Sequence, residues 1–216
     1  MAYDHEEQEQ LAALKAWWSQ YGNLVTWVLL IVLAGYVGWS GWKYYQRNQA
    51  AQAGLLYEEL QKAIAVNDNI KVQRAASDME AKFGKTAYAQ MGALAAAKTA
   101  FEVNDLKAAK TQLQWVVDNG QDAEYKALAK IRLAGILLDE KAYDDGLQVL
   151  AGDFPEQFKG AVADRKGDIL LAQKKVDEAR VAYALALEKT DENNPAHQLI
   201  QLKLDSVGGA PAKAAA

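Results

Sequence analysis

The sequence predicts an all-α fold: a single N-terminal transmembrane helix, then a solenoid of about four helical hairpins closed by a C-terminal capping helix. Three observations predict it. Residues 24–42 form an apolar run without a charge. Only three prolines occur in 216 residues, while Ala, Leu, Lys, Gln and Glu abound, a composition that favours helix over strand. Beyond the apolar run, apolar residues recur at three- and four-residue spacing, the helical period.

Residues 1–23 read as a short N-terminal segment, acidic through Asp4, Glu6, Glu7 and Glu9 against Lys15. The membrane helix follows from Leu24 to Trp42. Nineteen residues at 1.5 Å rise cover roughly 28 Å, close to the hydrocarbon thickness of about 30 Å. Nine of them are Leu, Ile or Val, which together favour insertion by about 3–5 kcal/mol, and no charge opposes them. Trp17, Trp18 and Tyr21 precede the run, and Trp39, Trp42, Tyr44 and Tyr45 end it, placing aromatic rings at both headgroup layers. A cleaved signal peptide would need a short basic leader and a small-residue cleavage site. The leader here is long and acidic, so an uncleaved anchor is expected. Ala34, Gly38 and Gly41 line a small-residue face that allows close helix–helix approach in lipid, although small residues are also ordinary in membrane helices. Lys43 and Arg47 after the span outnumber Lys15 before it, which leans towards a cytoplasmic C-terminal domain by one charge.

Residues 43–207 read as one helical domain. Breaks fall at Asn67-Asp68-Asn69, Gly84, Asn104-Asp105, Asn119-Gly120, Lys141, Gly152 to Pro155, Lys174 and Asn193-Asn194. Paired across these breaks, the segments repeat. Small residues close each first helix at Ala63, Ala97, Ala134 and Gly167. Val66, Ala100, Leu137 and Leu170 come three residues later. Val72, Leu106, Tyr143 and Val176 open each second helix, followed by Ala75, Ala109, Gly146 and Ala179, then Met79, Leu113, Leu150 and Tyr183. Successive units are displaced by 34, 37 and 33 residues in this register. Asn194 as N-cap and Pro195 at the first helical position start the capping helix, with Leu199, Leu202 and Val207 expected on its apolar side. Residues 208–216 read as a disordered tail.

This pattern resembles the tetratricopeptide repeat, in which small residues let the two helices of a hairpin approach closely and large ones fill the groove to the next. The consensus Trp is missing from every unit. In such folds the first helix of each hairpin lines the inner surface. The register places Tyr57, Leu60, Ile64, Met91, Leu94, Lys98, Phe101, Leu128, Ile131, Leu138 and Leu171 there. Their apolar character fits either a groove for another chain or a core covered by the last helix.

Several function classes have no residues to support them. Without cysteine there is no disulfide, thiol catalysis or thiolate metal site. The net charge of −4 and pI near 5.3 lack the basic footprint of a nucleic-acid binder. His5 and His197 stand in no ligand pattern, and no phosphate loop or nucleophile elbow occurs. The acidic pairs Asp139-Glu140 and Asp144-Asp145 read as solvated turns, and Trp115 as core. No catalysis, cofactor or metal is expected.

The acidic N-terminus, the early span, the segment WKYYQRNQAAQAGLLYEEL and the degenerate repeats together resemble the YfgM family of ancillary subunits of the bacterial Sec translocon. The resemblance implies an inner-membrane protein with a cytoplasmic N-terminus and a periplasmic C-terminal domain. It implies the SecYEG channel, the membrane-anchored chaperone PpiD and unfolded or translocating polypeptide as partners, beside the lipid bilayer. It also implies a role in helping secreted clients leave the channel. This orientation opposes the one-charge bias, which long domains can override. The alternative reading is a cytoplasm-facing scaffold for regulation or complex assembly.

Overall fold

The computed structural model describes residues 3–209, with side chains from residue 8 onward. Residues 210–216 of the expected tail, and the side chains of Asp4, His5, Glu6 and Glu7, lie outside the described residues. Among the described residues the chain forms nine α-helices and no strand: α1 (Tyr3–Ala65), α2 (Asn69–Phe83), α3 (Ala87–Glu102), α4 (Leu106–Asn119), α5 (Ala123–Asp139), α6 (Tyr143–Val149), α7 (Lys159–Ala172), α8 (Val176–Glu188) and α9 (Pro195–Ser206). A 3-10 turn, Glu156–Phe158, precedes α7. The contacts divide into two units, residues 1–49 and 50–216.

In the first unit α1 is long and apolar enough to cross a membrane, and its apolar window is wholly unburied. Leu24, Trp27, Ile31, Val32 and Tyr36 are all exposed, as a lipid-facing helix requires. Thr26, a polar residue in the run, donates its hydroxyl to the Gly22 carbonyl at 2.8 Å. That bond satisfies a group with no water partner in a hydrocarbon layer. Nothing lies within 4 Å of the faces of Gly35, Gly38 and Gly41.

In the second unit the end of α1 pairs with α2, α3 with α4, α5 with α6, and α7 with α8. One local device makes each hairpin. Asn67, Asn104, Lys141 and Lys174 adopt positive φ between 55° and 64°. In the first turn the Asn67 N–H donates to Ile64 O and the Asp68 N–H to Ala63 O. The same pair of bonds recurs at Asn104-Asp105, Lys141-Ala142 and Lys174-Lys175. This is a Schellman ending, which satisfies the last helical carbonyls and reverses the chain. Asp68 and Asp105 then cap the following helices by accepting from the N–H groups of Lys71 and Ala108.

These turns correct the sequence register of the first hairpin. Counted from Asn67, the counterpart of Ala97, Ala134 and Gly167 is Leu60, not Ala63. Val72 matches Ala109, Gly146 and Ala179, and Ala76 matches Leu113, Leu150 and Tyr183. Hairpins are therefore 37, 37 and 33 residues apart. A slip of three residues stays on the same helix face, so apolar periodicity alone cannot detect it. The turn can. The expected apolar position Val66 is 70% exposed as a result, and Val176 is exposed at the start of α8.

Close helix contact follows the small residues. In α3 the alanine-rich sequence buries Ala89, Gly92, Ala93, Ala96, Ala97 and Ala100, which face both neighbouring hairpins. A Cβ on Gly92 would collide with the Met79 methyl. One on Gly167 would stand 2.5 Å from the Tyr183 ring. Helix α6 has only seven residues, and Phe154 from the loop behind it fills the space left, packing with Ala127, Leu150 and Val162. Fully buried side chains such as Leu60, Leu113, Leu150 and Ile169 each stabilise the stack by roughly 1.5–3 kcal/mol.

Helix α9 starts at Pro195 as predicted, with Asn194 accepting from the Ala196 N–H. Its buried side differs in part from expectation: Val207 packs inward as expected, with Ile200 and Leu204, whereas Leu199 and Leu202 are exposed. Ile200, Leu204 and Val207 share one face of the helix and join the clusters of α7 and α8. Beside that face the Lys203 ammonium lies 2.8 Å from carboxylate oxygens of both Asp164 and Asp168 on α7, which agrees with the same rotation and leaves Leu199 and Leu202 outward.

Candidate partner-binding site

Successive first helices touch, α3 with α5 and α5 with α7, while the second helices α4, α6 and α8 stay further apart. A stack whose first helices are crowded curves towards them, so α3, α5 and α7 line its inner side. The predicted inner residues fall there in three groups. Leu60 is 0% and Leu94 6% exposed, so both are core rather than surface, which corrects the sequence reading. Register explains Leu60: it holds the crossing position of the first hairpin. Leu94 faces the α3–α4–α5 core beside Leu113 and Leu133. Tyr57, Ile64, Leu128, Ile131 and Leu138 are half-buried against the clusters of their own hairpins, and Met91 is half-buried as well. Lys98, Phe101 and Leu171 are exposed, Phe101 at 48%. Helix α9 packs against α8 and, through Ile200 and Lys203, against α7; Phe101 and Leu171 remain open.

Phe101 and Lys98 edge a groove of about 340 Å³. Its floor is Ala97, Leu113 and Ile136, and its far wall is Arg132, Gly135 and Asp139 on α5 and Arg165 on α7. The Arg165 guanidinium carbon would lie 3.5 Å from a Cβ on Gly135, an ordinary contact distance, so the guanidinium rests against α5 at this point. Arg165 bonds Asp168 at 3.3 Å through Nη1, while its Nε is buried without a partner. Among the described residues Arg132 forms no ion pair. Its side chain is largely exposed, yet the groove walls desolvate its charge and lower its pKa. Asp168 in turn accepts from the Tyr183 hydroxyl at 2.9 Å, and burial together with that carboxylate raises the Tyr183 pKa.

The sequence reading missed Arg132, Gly135 and Arg165. No signal in the sequence links them, because they stand on two helices that only the stacking of the hairpins brings together.

Other polar features have structural roles. Glu140 binds Lys110 at 2.6 Å, and Asp144 accepts from Gln173 at 3.0 Å, tying adjacent hairpins together at the acidic turns. Buried Gln90 accepts from the N–H groups of Gln121 and Asp122, holding the α4–α5 turn. Trp115 is half-buried between the first and second clusters and edges a second, shallower hollow with Lys110, Leu137 and Val149. Among the described residues no group of three His, Cys, Asp or Glu could hold a metal ion.

A tetratricopeptide repeat-like domain family matches residues 15–209. A protein of Neisseria gonorrhoeae named ancillary SecYEG translocon subunit is 31% identical over 96% of this chain and all of its own length. Relatives with the same name from Haemophilus influenzae and Escherichia coli are 27% and 25% identical over 96% and 93% of this chain, and over 100% and 96% of their own. Neither description is that of an enzyme. With its apolar N-terminal helix, its four hairpins and its near full-length match to these relatives, the chain belongs to the family of ancillary SecYEG translocon subunits.

Proposed function

We propose that this chain is a non-catalytic, inner-membrane accessory factor of the Sec translocon. Its hairpin stack acts as an interaction module that helps membrane-anchored periplasmic chaperones, PpiD in particular, receive translocating polypeptides. The observation that carries this reading is the near full-length similarity to relatives named for SecYEG, over both the apolar helix and the hairpins. In this reading residues 1–23 lie in the cytoplasm, 24–42 span the bilayer and 43–207 face the periplasm. Ala34, Gly38 and Gly41 form the face of the span that meets another membrane helix, where their lack of bulk permits close approach. Tyr57, Ile64, Met91, Lys98, Phe101, Leu128, Ile131, Leu138 and Leu171 belong to the inner surface that meets the partner chain.

The test has two arms. Alkaline phosphatase fused after the last residue should be active, reporting a periplasmic C-terminus. Full-length protein solubilised in mild detergent should co-purify with SecY. An inactive fusion would favour the second reading, a cytoplasm-facing scaffold, which the one-charge excess of Lys43 and Arg47 over Lys15 supports. Absence of SecY from the purified material would remove the translocon assignment.

A further inference from the structure

We propose that the groove between α3, α5 and α7 is a carboxylate-recognition site, which takes an Asp or Glu side chain of an extended partner segment on Arg132 and Arg165 and an adjacent apolar side chain on Phe101. The inference rests on the inner surface being the partner-binding face, and it names the chemistry of what binds there.

Charge balance is the first argument. Three cationic side chains and one carboxylate, Asp139, line the groove. Lys98 is loosely matched by Glu102 at 3.7 Å and Arg165 by Asp168, but Arg132 has no ion pair among the described residues. An exposed guanidinium with no carboxylate of its own beside it is free to take a ligand carboxylate, and the groove walls that partly desolvate it strengthen that pairing. Geometry is the second argument. Arg165 rests against α5 at Gly135 and is bonded to Asp168 through Nη1, so its fork is already restrained when the ligand arrives, and little side-chain freedom is lost on binding. Apolar surface is the third. Phe101 stands 48% exposed at the opposite edge, above a floor of Ala97, Leu113 and Ile136. A small free anion would leave that surface unused, whereas a peptide with an apolar residue beside its acid covers both.

The probe is a fluorescein-labelled peptide, acetylated and amidated at its ends, carrying Leu-Glu-Phe between Gly-Ser flanks. Binding to full-length protein in detergent is read by anisotropy. A peptide with Gln in place of Glu should bind roughly tenfold more weakly or worse, the loss expected for a charge-assisted pair. Arg132→Gln should weaken the Glu peptide by a similar factor and leave the Gln peptide unchanged. Its melting midpoint should hold, because the side chain is exposed and forms no ion pair among the described residues. Arg132→Glu should restore binding to a peptide carrying Arg at the acidic position. Equal binding of the Glu and Gln peptides, no detectable binding of either, or indifference to Arg132→Gln would overturn the proposal. So would a Gln peptide with a free C-terminus that binds as well as the Glu peptide, since that would make the groove a reader of chain ends. Co-purification with SecY is measured separately, so failure here is distinguishable from failure of the translocon assignment.

Discussion

At the scale of single residues, the four hairpin turns share one backbone conformation but not one residue type. Asn67 and Asn104 suit a left-handed φ; Lys141 and Lys174 do not, because a Cβ crowds the following carbonyl there. Replacing Lys141 or Lys174 by Gly should therefore raise stability by up to about 1 kcal/mol each, after the added freedom of the unfolded glycine is deducted. Urea melts of the full-length protein should show it, and a lowered midpoint would mean that the lysine side chains contribute more than the strain costs. Glu80 on α2 illustrates a different local conflict. Burial pushes its pKa from 4.5 up to about 7, against a smaller lowering from Gln112. Its Oε1 is buried without a donor, and so is Oε1 of Gln112. A raised pKa means that the folded state holds the proton more tightly than the unfolded state. The stabilisation is complete below about pH 4.5 and is lost as pH rises through about 7. Glu80→Gln should thus raise the melting midpoint at pH 8 and change it little at pH 4.5. Equal shifts at both pH values would show that charge is not the cause.

Helices and their pairings are set by contact distance and by a few ion pairs. Because a Cβ on Gly167 meets a rigid Tyr183 ring at 2.5 Å, Gly167→Ala should cost about 1–3 kcal/mol through overpacking. Gly167→Leu and Ala134→Leu should cost at least as much, and thermal melts would read all three. Insensitivity to Gly167→Ala would mean that α7 and α8 can slide apart at no cost. Helix α9 depends on Lys203, which serves two half-buried carboxylates, Asp164 and Asp168. Burial raises the Asp164 pKa more strongly than the Lys203 hydrogen bond lowers it. Removing the ammonium in Lys203→Ala leaves both acids less compensated, and should destabilise α9 by about 1–3 kcal/mol. Hydrogen exchange in α9 should rise well above that in α3 and α5. Uniform exchange across the stack would instead indicate that the hairpins and α9 unfold as one unit.

Over the whole molecule, a helix long and apolar enough to cross a membrane and a stack of hairpins occupy one chain. The residues open on the inner side of the stack are few. Phe101 and Leu171 are exposed, so Phe101→Asp with Leu171→Asp should leave the melting midpoint nearly constant. Capture of partner chains by the full-length protein should fall, because apolar contact area is replaced by charge beside the partner. Unaltered capture by a folded double variant would move the binding surface elsewhere. Leu94→Asp makes a control of the opposite kind: it puts a charge in the core next to Leu113 and Leu133, and unfolding is its expected outcome.

Features that depend on local pattern were legible before any coordinates. An uncharged apolar run specifies a membrane-length helix, helical periodicity specifies the hairpins, and Asn-Pro at 194–195 specifies where the last helix begins. Recurring small residues were enough to identify the repeat. What only the tertiary structure decided is whatever depends on rotation about a helix axis or on contacts between distant segments. Leu60 or Ala63 could each sit at the first crossing, because three residues return to the same face; the left-handed turn at Asn67 chooses Leu60. Leu199 and Leu202 look like the buried side of α9, but Ile200 and Leu204 pack into the α7 and α8 clusters while Lys203 reaches two carboxylates on α7. Arg132 and Arg165 lie far apart in the chain on two different helices, and no periodic pattern links them. They meet in one groove because stacking of the hairpins sets α5 directly against α7, a contact between segments that no local pattern encodes.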